Sequence, residues 1–172
     1  MAFFLLGTWG NWAKHQKESM KNLVKLTAEE RHWLVLAVTH IILAEGAAEK
    51  VEKAYLKKLL DTIFSGDTKE ILAEISELFR SKTLPALKKI QTSDLDNLVY
   101  MLDIIACSVF VNGKKPKSQT AKYFEAGQAL GVNIGTLSFR LSLEAEKFRV
   151  NRKLAQIRTD IKEDRLRTLQ VK

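Results

Sequence analysis

Trp33-Leu34-Val35-Leu36-Ala37-Val38, continuing through Ile41-Ile42-Leu43-Ala44 to a turn at Glu45-Gly46, decides how this chain folds. The run is almost entirely apolar, the pattern of a helix buried on all sides rather than one lying on a surface. Beyond Gly46, Val51, Tyr55, Leu56, Leu59 and Leu60 recur at helical spacing up to Gly66, so an amphipathic helix follows the turn. The same unit returns further on. Leu98-Val99-Tyr100-Met101-Leu102 leads through Ile104 to Val111, turns at Asn112-Gly113, and gives way to Tyr123-Phe124 and then Leu130-Gly131. Two such hairpins can bury their apolar faces against each other. The fold class is therefore all-α: a compact bundle of about seven helices on two pseudo-repeated helical hairpins, with an extended C-terminal helix.

Local signals place the elements. Thr27-Ala28-Glu29-Glu30 is a capping box, in which hydroxyl and carboxylate satisfy free amides at a helix start. A helix from Ala28 to about Ala44 follows, then a second from about Glu49 to Phe64. Asp67-Thr68-Lys69-Glu70 starts a third, with Ile71, Leu72, Ile75, Leu78 and Phe79 as its inward stripe. Pro85 fits the first turn of a short helix over residues 85–90. Ser93 is placed to cap the second apolar helix and Ser118 the one after it, which Gly131 stops.

The last helix starts near Ile134 and continues past Ile161, changing character on the way. Early on, Leu137, Phe139, Leu141, Leu143 and Phe148 are expected to cover the core. Later only Val150, Leu154, Ile157 and Ile161 remain, amid Arg and Lys. That stripe is shorter than the three or four heptads that define a coiled coil, and it reads as a helix leaving the body to dock on something. Residues 1–26 form an apolar and basic arm, 27–148 a helical domain, and 149–172 a basic helical extension.

The net charge of +8 is unevenly spread. Residues 1–25 carry +3, residues 26–111 carry −3, residues 112–139 carry +3 and residues 140–172 carry +5. Positive charge at the ends and around the second turn suits an anionic membrane, nucleic acid or an acidic protein partner, or serves solubility alone. A single cysteine, Cys107, excludes an internal disulfide and fits a reducing compartment. No stretch reaches the ~18 apolar residues of a membrane span, and Ala2-Phe3-Phe4-Leu5-Leu6 is too short for a signal-peptide core. A cytoplasmic protein, peripheral at the inner face of the membrane if membrane-bound at all, is the expectation.

The segments Ala44-Glu45-Gly46 to Leu60 and Val111-Asn112-Gly113 to Leu130 resemble the twin signatures of TerB-like domains. These helical modules are named for tellurite-resistance proteins and occur also in the N-terminal region of the DjlA co-chaperone. The resemblance covers about residues 27–148 and leaves both basic ends outside. It implies a divalent-metal site at the acidic positions beside the two glycines, here Glu45 and Glu52 in the first copy. The second copy departs from that pattern with Asn112 and Gln119, and Lys114, Lys115 and Lys117 stand nearby. A hard cation wants several oxygen ligands, preferably anionic, so these replacements weaken the site.

Three further readings compete. His40 and Cys107 each lie six residues before a turn glycine, and Asp103 falls one helical turn before Cys107. Convergence of the three would suit a transition metal or a Cys-His nucleophile, whereas separate core positions would leave them hydrogen-bonded and inert. In the arm, Phe3, Phe4, Leu5 and Leu6 can enter an acyl boundary with Trp9 and Trp12 at headgroup depth, or cover the domain's own core or a partner's groove. The C-terminal bases can track phosphates, but acids are interleaved among them and no nucleic-acid motif accompanies them. No Gly-rich phosphate loop or metalloprotease spacing is present.

The expectation is a non-enzymatic adaptor with no cofactor and no small-molecule substrate, binding a protein partner. Its contacts are Phe3, Phe4, Leu5, Leu6, Trp9, Trp12, Val150, Leu154, Ile157, Arg158 and Ile161. An anionic membrane surface is an additional partner and nucleic acid ranks below both. The alternatives are a divalent-metal-binding stress-response protein using Glu45 and Glu52, and a metal-dependent enzyme using His40, Asp103 and Cys107.

Overall fold

A computed structural model describes residues 26–64, 68–92, 94–114 and 116–170. Among them the chain is all-helical: α1 (Ala28–Leu43), α2 (Lys50–Ile63), α3 (Lys69–Ser81), α4 (Leu95–Ser108), α5 (Lys117–Ala129) and α6 (Ile134–Gln170). The Thr27 capping box forms as expected. Glu30 N donates to Thr27 Oγ1 at 3.2 Å and Thr27 N donates to Glu30 Oε2 at 2.7 Å.

Helix α1 is the centre of the bundle. Helices α2, α3, α4 and α5 all pack on it, and α6 lies against α4 and α5. Leu34, Val35, Val38, Ile41 and Ile42 are fully buried although they point in different directions around the axis. Each such side chain contributes about 1.5–3 kcal/mol on leaving water, so α1 is held mainly by burial. Its apolar counterpart α4 contributes Met101 and Ile105, also fully buried. Both turns after these helices use glycine where a left-handed backbone is needed, Gly46 at φ +84° and Gly113 at φ +77°.

The described residues hold six helices rather than about seven. The expected short helix over residues 85–90 does not form, and residues 82–92 run without regular structure. Pro85 biases the residue before it toward an extended backbone. The bundle then satisfies the segment's polar groups directly: Trp33 Nε1 donates to Lys88 O at 2.7 Å and Ile90 N donates to Ala129 O at 3.3 Å. Caps differ in detail as well. Asp94 accepts from Asn97 N at the start of α4, the expected cap Ser93 lying outside the described residues, and Pro116 precedes α5, where Ser118 instead reaches across to the first turn. Leu72, expected on the inward face of α3, is exposed.

Helix α6 has 37 residues, which at 1.5 Å per residue makes it about 55 Å long. Leu137 and Leu141 are buried, Tyr123 Oη donates to Leu137 O at 3.0 Å, and Phe148 stacks on Phe110 with ring centroids 6.0 Å apart. Beyond Phe148 no described side chain is buried, and the helix continues without a break through residue 149. Phe139 and Leu143 correct the expectation that they cover the core, being 66% and 40% exposed. At 100° per residue they lie on the side of the helix roughly opposite Leu137 and Leu141.

Candidate functional site

The two turns meet at Glu52. Its carboxylate projects from the first turn of α2 and is 1% exposed, so it requires partners. It has three. Oε2 accepts from Glu49 N at 2.7 Å, while Oε1 accepts from Asn112 Nδ2 at 3.0 Å and from Gln119 Nε2 at 2.7 Å. The carboxylate only accepts, which fixes the orientation of both amides. Lys114 Nζ pairs with Glu49 Oε1 at 2.9 Å, and Lys114 N donates to Asn112 Oδ1 at 3.0 Å. That hydrogen bond to Glu49 raises the Lys114 pKa above its usual value. Ser118 Oγ donates to Glu45 Oε1 at 3.4 Å, completing the seam.

Such an arrangement joins the turn after α1 to the turn after α4 and surrounds Glu52 with hydrogen-bond donors, which suit a metal ion poorly. What faces Glu52 from the second turn is a pair of amide N–H groups, whereas a hard cation requires oxygens. An ammonium already stands beside Glu49. Glu45 is exposed and bonded to Ser118 while Glu52 is buried among amides, so the two acids engage different partners. Among the described residues no group of three or more His, Cys, Asp or Glu could hold a metal ion. Asn112 and Gln119, departures from the resembled pattern, are the donors that satisfy Glu52. A second polar pair joins the N-termini of the apolar helices, where Asn97 Nδ2 donates to Glu30 Oε2 at 3.2 Å.

His40, Asp103 and Cys107 do not converge. His40 is buried on α1, and burial lowers its pKa below the usual value, with Lys122 on α5 adding to the shift and Glu125 and Glu74 opposing it. Asp103 and Cys107 face α6 instead: Asp103 pairs with Arg140, and Cys107 Sγ donates to Glu144 Oε1 at 3.2 Å. Glu144 also pairs with Lys147 at 3.1 Å. The contacts of Asp103 and Cys107 hold the first third of α6 to α4. Burial pushes the Tyr123 hydroxyl up to about 12 and raises those of Tyr55 and Tyr100 as well, which keeps all three neutral; Tyr55 Oη donates to Ile104 O at 3.2 Å and Tyr123 Oη to Leu137 O. A shallow cleft of about 480 Å³ between α2 and α3, floored by Leu56, Leu60 and Phe64 with Lys53 and Lys57 at its rim, had no signal in the sequence.

On α6 the expected contact residues are all exposed, Val150 at 45%, Leu154 at 43%, Ile157 at 52% and Ile161 at 62%, with Arg158 also exposed. Phe3, Phe4, Leu5, Leu6, Trp9 and Trp12 lie outside the described residues. No helix among the described residues is long and apolar enough to cross a membrane. Comparison of the chain with protein-family models, curated proteins and solved structures finds no match.

Proposed function

We propose that this chain is a non-enzymatic adaptor or scaffold of TerB-like architecture, whose C-terminal helix and N-terminal arm bind a protein complex at the cytoplasmic membrane surface. The observation that carries the reading is α6, which runs about 20 residues beyond its last packed ring, Phe148, with an apolar stripe open to solvent. Isolated exposed apolar residues are ordinary, but an ordered row along one helix marks an interaction site.

The reading of the bundle as two pseudo-repeated hairpins is supported by which residues meet. Glu52 and Gln119 are 67 positions apart, and so are Glu30 and Asn97. Both pairs are hydrogen-bonded, and two copies related by an approximate two-fold axis bring equivalent residues together on that axis. Gly46 and Gly113 share the same offset and the same left-handed backbone.

Co-purification from native cells, measured alongside melting temperature, tests the adaptor. Leu154→Asp and Ile157→Asp are expected to weaken recovery of partners without lowering the melting temperature, and deletion of residues 150–172 to do the same. Unchanged recovery with all three would place the binding surface elsewhere, and unfolding on deletion would make the extension part of the core.

A further inference from the structure

Phe139 and Leu143 lengthen the exposed stripe. Because they face outward, the outer side of α6 carries apolar residues from Phe139 to Ile161 rather than only from Val150. Within it Leu143, Val150, Ile157 and Asp164 are seven residues apart. Lys147, Leu154 and Ile161 form a second series, offset by four from the first. Two interleaved seven-residue series are the seam of a paired helix, and this seam lies roughly opposite the face that Leu137 and Leu141 bury. Helix α6 therefore presents one face to its own bundle and another to something else.

Its charges identify the occupant. We infer that the outer face of α6 pairs with the same face of a second copy of this chain, running antiparallel. This inference rests on the stripe being a protein-binding surface and names what it binds. Setting Leu154 against Ile157 of the second copy also sets Val150 against Ile161, and Lys147 against Asp164. Each polar seam position then meets the opposite charge. The exposed flanking residues agree: Lys153 meets Asp160, and Arg167 meets Glu146 of the other copy. A parallel pair sets Lys147 against Lys147, Asp164 against Asp164 and Lys153 beside Arg158, with only Asp160 beside Arg165 to oppose these like-charge contacts. Opposite charges along the flanks choose partner and direction. Six seam positions from Lys147 to Asp164 span about 27 Å. With both polar layers at the ends and four apolar layers between, this is a short, reversible seam.

Sedimentation velocity of the full chain over a dilution series tests the pairing. The expected result is a concentration-dependent dimer that Leu154→Asp converts to monomer, with helical content and melting temperature unchanged. Lys153→Glu, at an exposed position with no part in the core, sets Glu against Asp160 and should weaken the dimer about three- to tenfold. Adding Asp160→Lys should restore it. In a parallel pair Lys153→Glu would strengthen association, so that sign would overturn the proposed direction. A monomer throughout the series, or a dimer indifferent to Leu154→Asp, would overturn the pairing itself. If the wild type is monomeric while Leu154→Asp still reduces partner recovery, self-pairing fails and the adaptor stands. If Leu154→Asp alters neither readout, both fail.

Discussion

Gln119→Glu is a nearly isosteric change with a large expected penalty. It replaces the amide nitrogen 2.7 Å from Glu52 Oε1 with a second carboxylate oxygen, inside a site where both side chains are 1% exposed. Two negative charges about 3–4 Å apart repel by roughly 4–6 kcal/mol at an effective dielectric of 20. The mutant pair can escape by sharing a proton, as close carboxylates do. That uptake costs about 1.4 kcal/mol for each pH unit above an ordinary glutamate pKa of about 4.3, hence about 4 kcal/mol at pH 7 and about 1 kcal/mol at pH 5. The smaller of the two costs applies, so the variant should lose about 4 kcal/mol at pH 7. With a urea slope of about 2 kcal/mol/M, the unfolding midpoint falls by about 2 M. Because the folded mutant binds its proton more tightly than the unfolded chain, the deficit must shrink as pH falls. Circular dichroism at 222 nm through urea titrations at pH 7 and pH 5, with wild type in parallel, reads both effects. Equal midpoints at pH 7, or a deficit unaltered at pH 5, would refute the buried carboxylate–amide seam.

Ile105→Ala removes a fully buried side chain from α4 and should cost about 2–5 kcal/mol, whereas Leu36→Ala, on the one half-buried stretch of the α1 run, should cost less; urea midpoints order the two. Burial depresses the His40 pKa, so its neutral form is the folded form. Stability should be intact above an unfolded pKa of about 6.5 and decline as pH falls through the folded value, and His40→Leu should flatten that decline in a melting-temperature profile. Gly127→Ala places a methyl group 3.0 Å from Leu137 Cγ, where Leu137 is fully buried between α5 and α6, and should destabilise by about 1–3 kcal/mol in the same urea assay.

The elements legible from sequence are those specified by near neighbours. Helix α1 announces itself by having almost no polar side, its start by Thr27 and Glu30 three residues apart, and its end by Gly46. Helix α4 follows the same logic. What the sequence hid depends on distant partners. Residues 85–90 carry a helix-compatible pattern, yet the indole of Trp33 and the end of α5 offer that backbone better bonds in an irregular conformation. Phe139 and Leu143 look like core because they are large and apolar; only the register fixed by Leu137, Leu141 and Phe148 turns them outward. In the sequence Gly127, Gly131 and Gly135 are simply spaced by fours, and the use of Gly127, letting Leu137 approach the α5 backbone, emerges only when α6 is laid across it.

Asn112 and Gln119 carry the lesson furthest. Read along the chain they are losses, two carboxylates absent from an acidic pattern beside a run of lysines. Read across the fold they are gains, because Glu52 is a carboxylate sealed from water and only donors can neutralise its need for partners. A second acidic turn would have required a cation to hold the hairpins together, making stability depend on ion supply. Amides at the same two positions close the seam with the chain's own N–H groups, and Lys114 adds a positive charge beside Glu49. The body is thereby joined internally, and among the described residues the outer face of α6 keeps its apolar side chains exposed. One side of α6 packs on its own core and the other carries the exposed apolar row from Phe139 to Ile161, which is why the proposed association, and the direction its charges favour, are placed on that face.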